Sequence, residues 1–114
     1  MTLQAFLLHL PRSQTDWASW SFNHKISHDT IRAGVLAKFG RTLSDYEIDP
    51  ISPDDMSAWL QRHAQLHVDM DAALGLQSTD LQDVDLSDER QLISWLNLNW
   101  LEHVDAEAAA GVAS

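Results

Sequence analysis

"DWASWSFNHKISHDTIRAGVLAKF", residues 16 to 39, predicts the longest helix of this chain and sets the interpretation of the rest. Side chains three and four residues apart share one face of an α-helix. On one such face two histidines lie between apolar residues: Trp17, Trp20, His24, His28, Ile31, Val35 and Phe39. Apolar faces turn inward, so we expect both histidines to point into the protein.

A second helix with the same arrangement is predicted further along the chain. Ser52 is typical of an N-cap, Pro53 of the first helical position and Gly75 of the residue after the last turn. Its apolar face again carries two histidines in the middle: Met56, Trp59, Leu60, His63, His67, Met70 and Leu74. The two helices should therefore present histidine pairs to a common interior.

The third predicted helix is apolar nearly all round. Ser87 and the acidic residues after it predict its start. One face carries Leu92, Trp95, Leu96, Asn99 and His103. Apolar side chains beyond that face favour contact with another chain. The predicted interface residues are Trp95, Leu98, Trp100 and Leu101.

These segments predict a mainly α fold, a small three-helix bundle-like domain with an extended N-terminal segment and two long connectors. A chain of 114 residues suits one domain with a single modest core. The expected divisions are an extended arm or strand (1–14), helix 1 (15–40), a connector (41–52), helix 2 (53–75), an acidic connector (76–86), and helix 3 with its tail (87–110).

The charge is unevenly distributed. Residues 1–41 contain five basic and two acidic side chains, whereas residues 42–114 contain two basic and fifteen acidic ones. An acidic surface repels phosphates, so direct nucleic acid binding is not expected. No apolar run approaches the roughly 20 residues of a membrane span, and no membrane association is predicted. The absence of cysteine excludes disulfides and thiolate metal ligands.

Two interpretations of the inward histidines stay open. In the first, each imidazole is a core side chain that is hydrogen-bonded to a polar neighbour. The neighbours available are Ser21, Asn23, Asn99 and Asp71. In the second, pairs of histidines four residues apart converge on a Zn or Fe ion. The ligand candidates are His24, His28, His63, His67 and His103, with Asp71 or Glu102 as additions.

Catalysis is not predicted. The chain has no cysteine and no G-x-S-x-G motif, so a nucleophile cannot be assigned. The acidic residues fall in polar connectors and not among apolar residues, so paired carboxylates for hydrolysis cannot be singled out.

The stretches "SFNHKISHDTI", "YEIDPI", "QLHVDMDAALGLQSTDLQDVDL" and "WLEHVDAE" resemble small uncharacterised proteins encoded in the structural gene clusters of tailed phages and prophages. The resemblance covers most of residues 17 to 107. It implies a non-enzymatic role in the virion or its assembly, and a location in the cytoplasm of the host cell or in the virion. The residues it carries over are His24, His28, His67 and His103.

The primary functional prediction is a non-enzymatic acidic protein that acts by protein–protein interaction, with other chains or a second copy as partners and no cofactor. One alternative is a metal-binding helical module that takes Zn or Fe. A second alternative is an acidic inhibitor that mimics nucleic acid and binds a basic enzyme.

Overall fold

The structure is a computed structural model that describes residues 3–43, 56–77 and 84–112. These ranges contain four helices: α1 (Leu3–Leu7), α2 (Gln14–Phe39), α3 (Met56–Leu74) and α4 (Glu89–Ala109). They contain no strand, so the mainly α prediction is confirmed. No helix within them has both the length and the apolar character that a bilayer crossing needs.

The N-terminal segment differs from its prediction as an extended arm or strand. It contains the short helix α1, which contacts both α2 and α4. Leu7 is fully buried there, and its carbonyl oxygen accepts a hydrogen bond of 3.0 Å from Nε1 of Trp20. A short apolar run has no periodicity that separates helix from strand, so packing against two helices decides its conformation.

Local signals place most of the helix ends. Gly40 ends α2 in the left-handed conformation (φ 66°), which glycine adopts without strain. The predicted start of α4 at Ser87 is one residue early, because the Asp88 carboxylate accepts the hydrogen bond from the Arg90 amide. The predicted start of helix 2 at Ser52 and Pro53 lies outside the described residues, as do 44–55 and 78–83 of the predicted connectors.

Two hydrophobic clusters show that α2, α3 and α4 run in the same direction. One cluster joins residues from the first halves of the three helices: Trp20, Trp59, Leu60, Leu92, Trp95 and Leu96. The other joins residues from their second halves: Ile31, Val35, Met70, Leu74, Ala106 and Ala110. Helices that share clusters at both ends in this order are parallel and in register.

Surface contacts agree with the parallel arrangement. Arg12, just before α2, bonds to Glu89 at the start of α4 over 3.2 Å. At the other end, Nζ of Lys38 donates to the carbonyl oxygen of Ala109 over 2.9 Å. Short loops join antiparallel neighbours, so parallel helices need long connections between them. The long connectors predicted from the sequence follow from this direction.

The predicted interface residues do not share one environment. Trp95 is 1% exposed and belongs to the core, which removes it from any surface of this chain. Leu98 and Trp100 are partly buried against the same core, and Leu101 is exposed. An interface role for the last three stays a prediction.

Candidate metal centre

Each long helix carries the same nine-residue pattern. A tryptophan is followed four residues later by a histidine or an asparagine, and four residues after that by a histidine. The three copies are "WSFNHKISH" (20–28), "WLQRHAQLH" (59–67) and "WLNLNWLEH" (95–103). Steps of four keep side chains on one helix face. Because the helices are parallel and in register, the pattern stacks three layers across the interior.

The first layer consists of the three tryptophans. Their ring centroids lie 5.4 to 6.1 Å apart. The indole of Trp20 stacks on the His24 ring at 4.7 Å, and that of Trp59 stacks on the His63 ring at 4.8 Å. This layer covers one end of the histidine cluster with apolar side chains. The stacking also limits the orientation of the His24 and His63 rings.

The next two layers bring together all five predicted ligands. His24, His63 and Asn99 form one layer, and His28, His67 and His103 form the other. Each of the five histidines offers a ring nitrogen, and these atoms all lie within 4.8 Å of one another. The cluster can therefore hold a metal ion.

The contacts among these side chains are short and mostly between nitrogens. Nε2 of His24 lies 3.0 Å from Nε2 of His28 and 3.1 Å from Nε2 of His63. Nε2 of His63 also lies 2.9 Å from Oδ1 of Asn99. Every histidine in the cluster is at most 4% exposed, which confirms that these faces turn inward. His9, the sixth histidine, is exposed and lies apart.

Burial keeps the imidazoles neutral. Loss of hydration lowers the pKa of all five histidines, and repulsion from neighbouring imidazoles adds to this for His24, His28, His63 and His103. Burial alone lowers the pKa of His67 to about 3. A neutral imidazole has a lone pair on one nitrogen, and that form binds metal ions.

Two histidines have a buried side-chain oxygen close to Nδ1. Nδ1 of His67 lies 2.7 Å from Oε2 of Glu102, an ion-pair distance without hydrogen-bond geometry. Nδ1 of His103 lies 2.7 Å from Oγ of Ser27, whose hydroxyl donates to Oε1 of Glu107 over 3.0 Å. Since Ser27 has one proton and gives it to Glu107, its oxygen accepts the Nδ1 proton of His103. Histidines that ligate metals typically have such outer partners.

Five ring nitrogens of the cluster are buried and have no hydrogen-bond partner among the described residues: Nδ1 of His24, His63 and His67, and Nε2 of His67 and His103. The Nε2 atoms of His67 and His103 are the two whose rings have a buried oxygen near the other nitrogen. With its proton on Nδ1, the His103 ring has its lone pair on Nε2. An ion in the cluster would satisfy both atoms.

Interior carboxylates border the cluster, and two of them, Asp71 and Glu102, are the acidic residues that the sequence offered as additions to the ligand set. Asp71, Glu102 and Glu107 are all buried. Burial and the neighbouring Glu102 raise the pKa of Asp71 to about 8, so this carboxyl group is protonated at neutral pH. Asp71 and Glu102 line a pocket at the surface together with Asp105. The prediction that the acidic residues fall in polar connectors is wrong for Asp71, Glu102 and Glu107, because Asp71 lies on α3 and the other two lie on α4.

The hydrogen-bonding alternative accounts for part of the cluster. Asn99 contacts His63 as that interpretation expects, whereas Asn23 donates to the carbonyl oxygen of Ser19 on the helix surface. Ser27 and Glu107 were missed as site residues. Glu107 lies four residues after His103, and that spacing on one helix face could have identified it. The threefold repeat of the pattern was also missed, because Asn99 takes the place of a histidine in α4.

Comparisons with protein-family models, curated proteins and solved structures found no match to this chain.

Proposed function

We propose that this protein is a metal-binding helical module whose five interior histidines hold one divalent transition-metal ion. The observation that carries the proposal is the convergence of five ring nitrogens within 4.8 Å, in a two-layer cluster that the tryptophan layer covers on one side. Burying five imidazoles costs hydration each time, and a shared ion compensates that loss by binding their lone pairs.

The distances favour one ion over two. Around a six-coordinate ion with bonds of about 2.1 Å, adjacent donor atoms lie about 3.0 Å apart and opposite ones about 4.2 Å apart. The observed nitrogen separations begin at 3.0 and 3.1 Å, and the whole set spans 4.8 Å. Two ions lie about 3.5–4 Å apart in dinuclear sites, which would spread the nitrogens further.

The number of donors favours Fe²⁺ over Zn²⁺. Structural Zn²⁺ sites in proteins are almost always four-coordinate, whereas five imidazoles converge here. Imidazole also suits iron, and iron accepts higher coordination numbers. The buried carboxylates of Glu102 and Glu107 lie behind two of the histidines and offset part of the charge of the ion.

Metal analysis of protein purified without an affinity tag tests the proposal. We expect one transition-metal ion per chain, and we expect chelation to lower the thermal unfolding temperature, because an ion that binds only the folded state stabilises it. Protein that binds no ion even after incubation with Fe²⁺, and that melts identically with and without chelator, would contradict the proposal.

Two histidine variants make the test specific to the cluster. His28→Ala removes one of the converging nitrogens and should weaken metal binding. His9→Ala removes the exposed histidine and should leave both affinity and stoichiometry unchanged. Equal loss in the two variants would indicate adventitious surface binding.

A second candidate is the protein–protein interaction predicted from the sequence. One observation favours it: Phe22 is 65% exposed on α2, with exposed Ile26 one turn further. Phe22→Ser should weaken self-association measured by light scattering at increasing concentration, if a second copy is the partner. The origin in a phage gene cluster, a place in the virion or its assembly, and inhibition of a basic enzyme stay predictions.

A further inference from the structure

We infer that Oδ1 of Asn99 is the sixth ligand of the ion, so that the centre is a closed site with five nitrogen donors and one oxygen. This inference rests on the proposed metal binding. It adds the coordination number of the ion and states that the ion cannot take an external ligand. A closed site has no position for an external ligand, which separates a structural or storage ion from a catalytic one.

The helix arrangement supplies six donors in two triangles. The layer of His24, His63 and Asn99 lies one turn before the layer of His28, His67 and His103 in three parallel helices. An octahedron viewed along its threefold axis consists of two such triangles with the ion between them. In this arrangement five corners of the octahedron are imidazole nitrogens, and the sixth is Oδ1 of Asn99.

The contact of Asn99 with His63 resembles the contacts between the histidines. Its side chain is fully buried, and its Oδ1 lies 2.9 Å from Nε2 of His63. The corresponding contact from His24 to His63 in the same layer is 3.1 Å. Both values are near the spacing of about 3.0 Å expected for adjacent donors around one ion. The distance between Oδ1 of Asn99 and Nε2 of His63 is therefore the one expected for two neighbouring ligands of the same ion.

The chemistry of the Asn99 amide also favours coordination of the ion by Oδ1. Without metal, Oδ1 can accept the Nε2 proton of His63. When an ion takes the Nε2 lone pair, that nitrogen has no proton left to donate, and two electron-rich atoms face each other at 2.9 Å. A cation bound to both atoms removes this repulsion, and direct coordination supplies the partner that Oδ1 would otherwise lose.

Substitution with Co²⁺ provides a direct readout of coordination. Six-coordinate Co²⁺ absorbs visible light weakly, whereas four- and five-coordinate Co²⁺ absorb strongly. We expect the wild-type protein loaded with Co²⁺ to show weak bands that do not change on addition of azide. Strong bands, or a spectrum that responds to azide, would overturn the inference, because either result shows that Asn99 does not close the site.

Three variants locate the effect at the amide oxygen. Asn99→Ala should open one position, so that azide changes the Co²⁺ spectrum and metal affinity falls by at least about tenfold. Asn99→Asp keeps an oxygen donor and should stay unresponsive to azide. Asn97→Ala removes an exposed amide two residues away, which bonds to the carbonyl of Ile93, and should behave as wild type.

The outcomes separate the two proposals. If the wild-type protein binds no ion, the proposed function is wrong, and the inference about Asn99 is wrong with it. If it binds one ion per chain but responds to azide, metal binding stands and the closed site is wrong. If Asn99→Ala does not fold, the wild-type and Asn99→Asp spectra still decide between these results.

Discussion

His103 shows how a single residue depends on partners far from it in sequence. The residue is 76 positions from Ser27, yet Nδ1 of its ring lies 2.7 Å from the Ser27 hydroxyl. The hydroxyl in turn donates to the buried carboxylate of Glu107. This chain of contacts determines which ring nitrogen of His103 carries the proton, and therefore which one can bind an ion.

The first prediction at this scale concerns Ser27. Ser27→Ala removes the acceptor of the His103 Nδ1 proton without adding bulk, so His103 loses its preferred tautomer and orientation. We expect metal affinity to fall by about 10–100-fold in a competition titration against a chelator. Ser19→Ala, which alters an exposed hydroxyl on the same helix, should have no effect. Equal affinities for wild type and Ser27→Ala would show that Ser27 does not orient His103.

Glu102 provides a second prediction for a residue. Its carboxylate lies 2.7 Å from Nδ1 of His67, and this contact supports the ring and adds negative charge near the ion. Glu102→Gln keeps the shape and removes the charge, so we expect about 10–100-fold weaker metal binding by the same titration. Glu89→Gln on the same helix changes an exposed carboxylate and should bind as wild type. Unchanged affinity in Glu102→Gln would contradict an electrostatic role.

Close packing of α2 against the end of α4 depends on a glycine. Near the end of the bundle opposite the tryptophans, α2 and α4 approach closely at Gly34. A Cβ atom added there would lie 2.9 Å from the carbonyl oxygen of Ala110 and 3.1 Å from Cγ1 of Val112. The absence of a side chain at Gly34 is therefore a requirement of this contact, even though glycine is a weak helix former.

The prediction at this scale is that Gly34→Ala destabilises the protein. Alanine would gain up to about 1 kcal/mol of helix propensity, but overpacking typically costs about 1–3 kcal/mol, and the backbone oxygen of Ala110 cannot rotate away. We expect a lower thermal unfolding temperature. Ala37→Gly is the control at an exposed position of the same helix. There the glycine variant should unfold at a lower temperature than the wild type, because no packing contact opposes the helix propensity of alanine. A more stable Gly34→Ala variant would show that α2 and α4 can separate without loss.

For the molecule as a whole, the buried histidines make the metal-free fold sensitive to acid. Their pKa values lie well below 6.5 in the folded state, whereas the unfolded chain binds protons on them as the pH falls through about 6.5. The unfolded state then holds more protons, so stability falls with decreasing pH. Above that range the histidines contribute no further dependence.

At pH about 5.5 each buried histidine favours unfolding by between about 1 and 2 kcal/mol, or on the order of 7 kcal/mol for five. Asp71 acts in the opposite direction, because its raised pKa of about 8 makes the folded state hold a proton that the unfolded state loses above about 4. Between pH about 7.5 and 5.5 it offsets about 2–3 kcal/mol.

We therefore expect metal-free protein to lose about 4 kcal/mol between pH about 7.5 and 5.5, a large part of the stability of a small domain. Urea unfolding at the two pH values measures this change. His9→Ala should show the same loss, since His9 is exposed. A stability that is equal at both pH values would mean that the histidines are hydrated in the folded state.

Local patterns in the sequence predict the helical class, the faces that turn inward and the five histidines that meet. These features are local, because a periodicity of 3.6 residues and the capping residues act within one helix. The same reasoning failed for the first residues, where α1 forms in place of an arm, and for α4, where Asp88 competes with Ser87 as the cap.

Contacts between helices depend on the packing of the whole chain. The parallel direction of α2, α3 and α4 and their common register depend on how the apolar clusters pack, and a sequence of separate helices does not specify either one. That register places Asn99 among the histidines, Ser27 against His103 and Glu102 against His67. The physical reason is that a helix face is set by neighbours four residues away, whereas the contents of the site are set by contacts between residues that lie dozens of positions apart.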